Sequence, residues 1–516
     1  MALQSPIVPI VSYRHRPAFR LLLGCILGIV LYESGFLFWG SVVLGAIAIT
    51  ALLLSKRIPT IEPFMWLSIV GILFGWYSEL RAKPINNLPD GITLQEVNIR
   101  ILYPLSGSAE SQIRYKSEVQ TPDGQWLTIR LQSPEMIIDS YGSEAIATLD
   151  LSALRTLKSE GYRNYLISEG FVAQGNVHKL YSLRPMNHPP ISSRLQSFRQ
   201  QLIHRFDEEA RVSIDQQSRG LIYALSLGDR SLLPRELKTQ FASAGVAHIL
   251  AVSGYHLGIV YGLVSLLIGK FLWRYRYRRY RYILILLSLV LYTLMTGAST
   301  ATVRALLMST IALGAKLLDR PSDPVQLLSL VLLVFLCINP FAYYSIGLLL
   351  SVSAVWGIYT FLPLFQRWFN PSRKWLKWFA DIISISLSAQ IGVFPILLMS
   401  FGTASLGFLW SNIPIVFISG VLIPLALLSF FILQIFGQLP TILLQLLNYL
   451  AISMEGVTNL FTTENYGINL HARFDLIALI LYYAIAYLAS RLLHGYICRM
   501  EENKLIHREI ESGALL

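Results

Sequence analysis

The sequence predicts a polytopic α-helical membrane protein of about 12 spans, some broken, with an inserted extracytoplasmic OB-type β-barrel domain. Three observations lead there. Of 516 residues, 54% are hydrophobic and only 14% charged, with a mean hydropathy of +0.53, as expected of a chain that repeatedly crosses a bilayer. Long apolar runs alternate with short basic loops. One internal segment, 81–190, breaks that rhythm and alternates polar with apolar residues.

Apolar runs at about 18–32, 36–54 and 61–80 predict an N-terminal three-span region, 1–80, turned at Glu33-Ser34-Gly35 and at Lys56-Arg57. Residues 1–20 lack a cleavable-signal pattern, so the first run is expected to stay as a span. The net charge of +12 resides in short loops: Arg14, Arg16 and Arg20, then Lys56 and Arg57, then Lys270 to Arg281, then Arg367 to Lys377. That is the positive-inside bias, which sets topology without any polyanion. It places the N-terminus, the 273–281 loop and the 494–516 tail inside, and 81–190 outside. Cys25, Cys337 and Cys498 have neither metal-like spacing nor a disulfide framework.

Within 81–190, TLQEVNIRILY (93–103), QIRYKSEVQ (112–120) and QWLTIRLQ (125–132) show the period of two that marks strands. Thr121-Pro122-Asp123-Gly124 predicts the hairpin turn between the last two. EAIATLDL (144–151) and FVAQGNVHKLY (171–181) are further strands, with a helical insert between them. Five strands with a helix before the last fit a small OB-type barrel. Such barrels hold single strands by stacking bases above a basic groove, and Arg114, Tyr115, Lys116, Trp126 and Arg130 are the candidate contacts. Eleven basic residues against eleven acidic ones leave the segment neutral, which suits a structural collar as well.

Residues 191–247 predict amphipathic surface helices. Leu195, Phe198, Leu202, Phe206 and Ala210 recur at helical spacing, and Pro234 and Gly245 bracket a further helix. The stretch 241–272 then combines a bilayer-length apolar run with His248, Ser253 and His256. Gly254, Gly258 and Gly262 form one flat stripe, expected to pack against a neighbouring helix. Ser253-Gly254 is a place for the helix to unwind, tolerated only where backbone faces protein or water. The polar groups either line a wet path or are bonded within a packed helix.

The interleaved Arg and Tyr residues of 273–281 read as a topogenic loop or as a grip on an emerging strand. Further spans are expected at roughly 282–298, 300–318, 325–339, 343–362 and 379–398. The run 404–436, interrupted by Asn412, Pro414, Gly420 and Pro424, predicts two broken spans, and 440–461 an outer surface helix before 474–493 crosses back. Arg304 either faces the interior or snorkels to the outer boundary. Ser384, Ser386, Ser388 and Gln390 fall at i,i+4 spacing and either line a wet path or bond across helices.

AHILAVSGYHLG, preceded by LSLGDRSLLPRELKTQFASAG, resembles the signature of the ComEC family of competence membrane proteins, which bring transforming DNA through the bacterial cytoplasmic membrane. Tyr255 and Leu257 depart from the family pattern but keep an apolar body. The resemblance runs in order from about 150 to 425, through Tyr162-Arg163-Asn164-Tyr165-Leu166, the Thr-Gly and Arg-Ala around Arg304, Asn339-Pro340, the serine-glutamine run and Asn412-x-Pro414. It implies a transmembrane channel domain at 248–493 for inward passage of single-stranded DNA, with an OB domain at 81–190. His248, Ser253, Gly254, His256, Arg304, Ser388 and Gln390 are the translocation candidates. It also implies partners: an extracytoplasmic DNA receptor and a cytoplasmic helicase or single-strand-binding proteins.

Many members of that family continue into a metallo-β-lactamase-like domain. The nine histidines form no His-x-His-x-Asp-His cluster, and no phosphate loop is present. The expectation is a non-enzymatic form without that domain and without cofactor or metal. Two other functions stay open: a transporter of a small or lipid-linked envelope substrate, and an envelope enzyme with His248 or His256 as general base, for which no nucleophile–base–orienter set is legible.

Overall fold

A computed structural model describes residues 16–55, 62–105, 113–121, 124–133, 142–271, 277–319, 323–369, 371–405, 407–462, 469–471 and 475–511. The Pro122-Asp123 turn, Arg14, Lys56-Arg57 and most of the Arg/Tyr loop lie outside those residues. Three helices open the chain: α1 (Pro17–Glu33), α2 (Leu37–Ser55) and α3 (Glu62–Asn86). Small residues let α1 and α3 approach closely, and a Cβ at Gly28 would stand 2.6 Å from the Gly71 carbonyl oxygen.

The barrel follows. β1 (Ile92–Pro104), β2 (Ile113–Gln120), β3 (Trp126–Ser133), β4 (Ser143–Ala153) and β5 (Ala173–Pro185) close in the order β1-β2-β3-β5-β4, with α4 (Glu160–Ser168) before the last strand. β3 and β5 run parallel, and the other neighbours antiparallel. The hairpin closes where the Thr121 N–H donates to the Gln125 carbonyl at 2.8 Å. Alternation sends Ile99, Ile101, Tyr115, Val119, Ile129, Leu131 and Leu149 into the core. Tyr115 is therefore 0% exposed and presents no ring to a base. Consecutive strand residues point to opposite faces, so Tyr115 cannot share a surface with Arg114 and Lys116.

The helical remainder comprises α5 (Ile191–Ala210), α6 (Gln216–Leu227), α7 (Arg235–Ser243), α8 (Ala247–Leu250), α9 (Gly254–Phe271), α10 (Arg278–Met295), α11 (Thr300–Leu317), α12 (Pro324–Ile338), a 3-10 turn at Pro340–Tyr344, α13 (Ile346–Trp368) and α14 (Lys374–Phe401). After a short strand β6 (Thr403–Ser405) come α15 (Phe408–Phe436), α16 (Thr441–Leu460), β7 (Asn469–His471) and α17 (Leu476–Glu511). Four stretches are long and apolar enough to cross a bilayer: Ile346–Trp368, Lys374–Phe401, Trp410–Phe436 and Ile477–Ile497. Leu37–Leu52, Gly254–Ile268 and Pro324–Ile338 are shorter apolar helices.

Two expectations are corrected here. The run expected as two broken spans is one helix of 29 residues with Pro414 and Pro424 inside it, packed along its length through Ile415, Leu422, Ile423, Ala426 and Phe430. Proline interrupts a membrane helix less than a soluble one, because neighbouring groups re-satisfy the freed backbone. α16 packs back against α15 and α6. β6 pairs antiparallel with β7, so α15 and α16 leave and return to the same side, and Leu444, Leu447, Ala451 and Met454 are buried in the core they share with α6. In α5, Leu202, Phe206 and Ala210 are buried as expected, but Phe198 is 39% exposed while Arg199 is only 8% exposed. The helix is built into the bundle, where Arg199 pairs with Asp229 at 3.8 Å.

Candidate functional site

The site starts at the break between α8 and α9. α8 ends at Leu250, Ala251 is extended, and helix resumes at Gly254, where the sequence predicted unwinding. The His256 Nδ1 accepts the Ser253 backbone N–H at 3.2 Å and lies 3.2 Å from Ser253 Oγ. This is one half of a capping box, with an imidazole in the place of the usual glutamate. With Nδ1 accepting, the neutral ring carries its proton on Nε2. His256 is 0% exposed, and Nε2 has no partner among the described residues. A buried donor without an acceptor is costly, about 1–3 kcal/mol, and calls for a ligand or water.

Arg304 enters from the first turn of α11, whose start is fixed by Ser299 accepting the Thr302 N–H at 3.3 Å. Its guanidinium does not snorkel. Arg304 is 3% exposed, its Nη2 donates to the Gly347 carbonyl at 2.7 Å, and Nε and Nη1 have no partner among the described residues. A Cβ at Gly254 would lie 3.5 Å from Ala305 Cβ. The beginnings of α9, α11 and α13 therefore converge, and three helix N-termini add positive potential where Arg304 sits.

Gly228-Asp229-Arg230 supplies the next group. Gly228 ends α6 at φ 76°, which turns Asp229 inward to accept Gln200 Nε2 at 2.5 Å and the Ser231 N–H at 2.9 Å. Arg230 lies within charge range of Tyr165 on α4 and of His256. His248 lies within charge range of His256. Its side chain is exposed. Tyr165 is 50% exposed and lies within charge range of Arg230.

The barrel domain is joined to the helical bundle at the end of α4. Asn339 Nδ2 donates to the carbonyls of Ile167 at 3.0 Å and Ser168 at 2.9 Å, while its Oδ1 accepts the Phe341 N–H at 3.0 Å. Carbonyls left open at the end of α4 are thus capped by a side chain of the bundle. Tyr162 and Tyr165 stack with centroids 6.4 Å apart, and Arg130 lies 5.2 Å over Tyr162. Burial, then the neighbouring Arg114, lowers the Arg130 guanidinium to about 10. Lys116 Nζ sits 5.7 Å from the Phe171 ring and, with Arg304, faces Glu169. Burial raises the Glu169 carboxyl above its usual range even against those two cations.

The structure thus divides the sequence candidates. His248, Ser253 and His256 come together, and Arg304 lies on the helix whose Ala305 faces Gly254. Arg114, Lys116 and Arg130 share the barrel face turned toward them, whereas Trp126 pairs with Gln120 at the opposite end of the strands, under Arg100 at 4.1 Å. Ser388 belongs elsewhere: its hydroxyl donates to the Ser384 carbonyl at 2.6 Å, and its own carbonyl lies 2.2 Å from where a Cβ on Gly357 would stand. It packs a helix crossing. Gln390 is half-buried on the same helix, and Ser386 accepts Asn412 Nδ2 at 2.9 Å, a bond across helices. The expected glycine seam is absent: nothing described lies within 4 Å of a Cβ at Gly258 or Gly262. Arg230, Tyr165, Glu169 and Asn339 join the site without having been candidates, though three of them stand in motifs that the sequence displays. Among the described residues no group of three His, Cys, Asp or Glu side chains could hold a metal ion.

A family model described as Competence protein matches residues 225–495, which take in Arg230, the helix break, Arg304 and the α13–α14 crossing. The chain is 31% identical over 185 residues to ComE operon protein 3 of Bacillus subtilis, covering 36% of this chain and 22% of that protein. It is 26% identical over 253 residues to Recombination protein 2 of Haemophilus influenzae, covering 47% of this chain and 31% of that one. The chain therefore matches less than a third of either relative's own length. No solved structure matches. With more than half of its length in the family match, and an apolar helical architecture to go with it, this chain is a membrane protein belonging to the competence protein family.

Proposed function

We propose that the chain passes single-stranded DNA inward across the bacterial cytoplasmic membrane during natural transformation. One observation carries this reading: His256 Nε2 and Arg304 Nε and Nη1 are buried donors without partners among the described residues, in a helical membrane protein of the competence family. A phosphate chain cannot cross hydrocarbon and needs a hydrated route lined by donors. Charge-assisted bonds to phosphate oxygens suit the Arg304 guanidinium. Tyr162 and Tyr165 above it offer π-faces on which bases stack without regard to sequence.

In this reading the barrel is extracytoplasmic, about 12 spans cross the membrane, and the C-terminal tail lies inside. The chain moves the strand without hydrolysing it. A receptor outside and a helicase or single-strand-binding proteins inside deliver and draw it. In a naturally transformable host deleted for its own gene, His256→Ala and Arg304→Gln should restore membrane protein to wild-type abundance. Import of labelled DNA should fall at least about tenfold, the effect of losing one charge-assisted bond of about 1.4 kcal/mol or more. Normal DNA import by well-expressed variants, or loss of small-solute import alone, would sink this reading in favour of a transporter of small or lipid-linked substrates.

A further inference from the structure

α5 carries polar groups on two sides, and the structure treats the two sides differently. Toward the bundle, Arg199 and Gln200 are held by Asp229. On the same helix Asp207 accepts the Tyr223 hydroxyl at 3.1 Å, with Arg219 at 3.4 Å. Away from the bundle, Arg194, Gln201, His204, Arg205 and Glu208 are all exposed, at the spacing of one helical face. His204 and Glu208 lie 3.4 Å apart there, with side chains still 75% and 55% exposed. The apolar side of the helix, Leu202, Ile203, Phe206 and Ala210, is buried in the core shared with α6, α15 and α16.

α15 fixes the depth of that polar face. α13 leaves the turn whose Asn339 caps the barrel's α4. α14 returns antiparallel to it, Ser353 against Gly392 and Gly357 against Ser388, so α15 starts on the barrel side. α15 is long and apolar enough to cross a bilayer, and it ends at Phe436. Ser193, at the start of α5, donates to the Leu102 carbonyl of β1 at 2.9 Å. Farther along, Phe206 rests on Phe430 with ring centroids 4.9 Å apart, and Arg205 Nη1 donates to Gln434 Oε1 at 3.3 Å. α5 thus runs from the barrel to the far part of a spanning helix with a charged face turned outward. At such depth charged side chains face water or protein, not hydrocarbon.

We propose that the outward face of α5 borders a water-filled vestibule, cut into the membrane domain from the barrel side and reaching the level of Gln434. Its occupant is water. Arg194 and Arg205 stand against Glu208 and Glu209 on this helix, all exposed, so the wall offers hydration without a deep trap for either sign of charge. Such a vestibule would serve any hydrophilic cargo, so it goes beyond the DNA reading and does not rest on it.

Thiol accessibility in the full-length protein in lipid nanodiscs tests this. The probe is a permanently charged methanethiosulfonate, and peptide mass spectrometry separates each introduced site from the native cysteines. Gln201→Cys and Glu208→Cys replace exposed side chains, with His204→Cys in reserve should either fail to fold. Leu428→Cys, 47% exposed on α15, is the lipid-facing reference beside Phe430, and Gln125→Cys on the barrel hairpin gives the rate in open water. A thiol in hydrocarbon stays protonated and unreactive, so Leu428→Cys should react at least roughly a hundredfold more slowly than Gln125→Cys. Gln201→Cys and Glu208→Cys should both come within about tenfold of Gln125→Cys. Rates as slow as that of Leu428→Cys would show the face covered by lipid or by a second copy of the chain, and overturn the proposal. Labelling of Gln201→Cys alone would confine water to the barrel end and overturn it too. Fast labelling of all four sites would put α15 outside the bilayer, with the same result. DNA import is no part of the readout, so the vestibule and the DNA reading stand or fall separately.

Discussion

On α9, Gly254, Gly258 and Gly262 make a stripe that meets almost nothing, whereas α13 and α14 hold one glycine each where they cross and press backbone on backbone. A Cβ at Gly357 would stand 2.2 Å from the Ser388 carbonyl oxygen, and one at Gly392 2.0 Å from that of Ser353. At Gly258 and Gly262 nothing described lies within 4 Å. Periodic glycine is the pattern normally read as a seam, and isolated glycine the pattern normally passed over. Here their roles are reversed. Close approach depends on two helices offering small residues at one height, which no single helix reveals. The difference also assigns mechanical roles: α13 and α14 cannot slide past each other without a clash, while α9 has room along one face.

The seam gives the largest expected effect. Gly392→Ala places a methyl into the backbone of α13, and neither main chain can yield. Overpacking of this kind costs about 1–3 kcal/mol even where side chains can shift. Folded, monodisperse protein extracted from membranes should fall several-fold, and Gly357→Ala should do the same. Wild-type yield for both would mean that α13 and α14 cross elsewhere than described.

An intermediate effect is expected where α1 meets α3. At Gly28 a methyl would stand 2.6 Å from the Gly71 oxygen and 2.9 Å from the Gly75 nitrogen, a less severe overlap than at Gly392. Gly28→Ala should reduce yield less than Gly392→Ala, measured in parallel by fluorescence-detected size exclusion of a tagged chain. If the ranking reverses, the N-terminal helices are held more tightly than their geometry says.

How much of this was legible follows from the range over which each signal acts. The barrel was readable strand by strand, because alternation and the Thr121–Gly124 turn are local. So was the helix break before Gly254. The continuity of α15 was not, since Pro414 and Pro424 weigh heavily in a sequence but lightly in a packed apolar helix. Tyr115 was misassigned for a reason already in the sequence, because residues 114, 115 and 116 of a strand cannot share a face. Arg230, Glu169 and Asn339 could be found only in three dimensions. Arg230 and Asn339 each stand in a local motif and Glu169 in none, and what places each at the site is a partner on another element, as with Asn339 reaching across 172 positions to Ile167.

The smallest effect on yield, and the one that separates the two glycine surfaces most sharply, is expected at Gly258. Replacing it by leucine adds a large side chain on a helix that tolerates it, since leucine is a better helix former than glycine by roughly 0.5–1 kcal/mol. Nothing described stands in its way, so membrane abundance should match wild type. The stripe begins at Gly254, beside Ala305 and the convergence of helices that holds Arg304. If it continues the hydrated route downward, Gly258→Leu narrows that route and lowers DNA import while yield stays level, and Gly258→Ala lowers it less. A fall in yield with Gly258→Leu would show that the open face of α9 is covered by another surface in the membrane, such as a second copy of the chain. Level yield together with level import would place the route away from α9 and leave the stripe facing lipid.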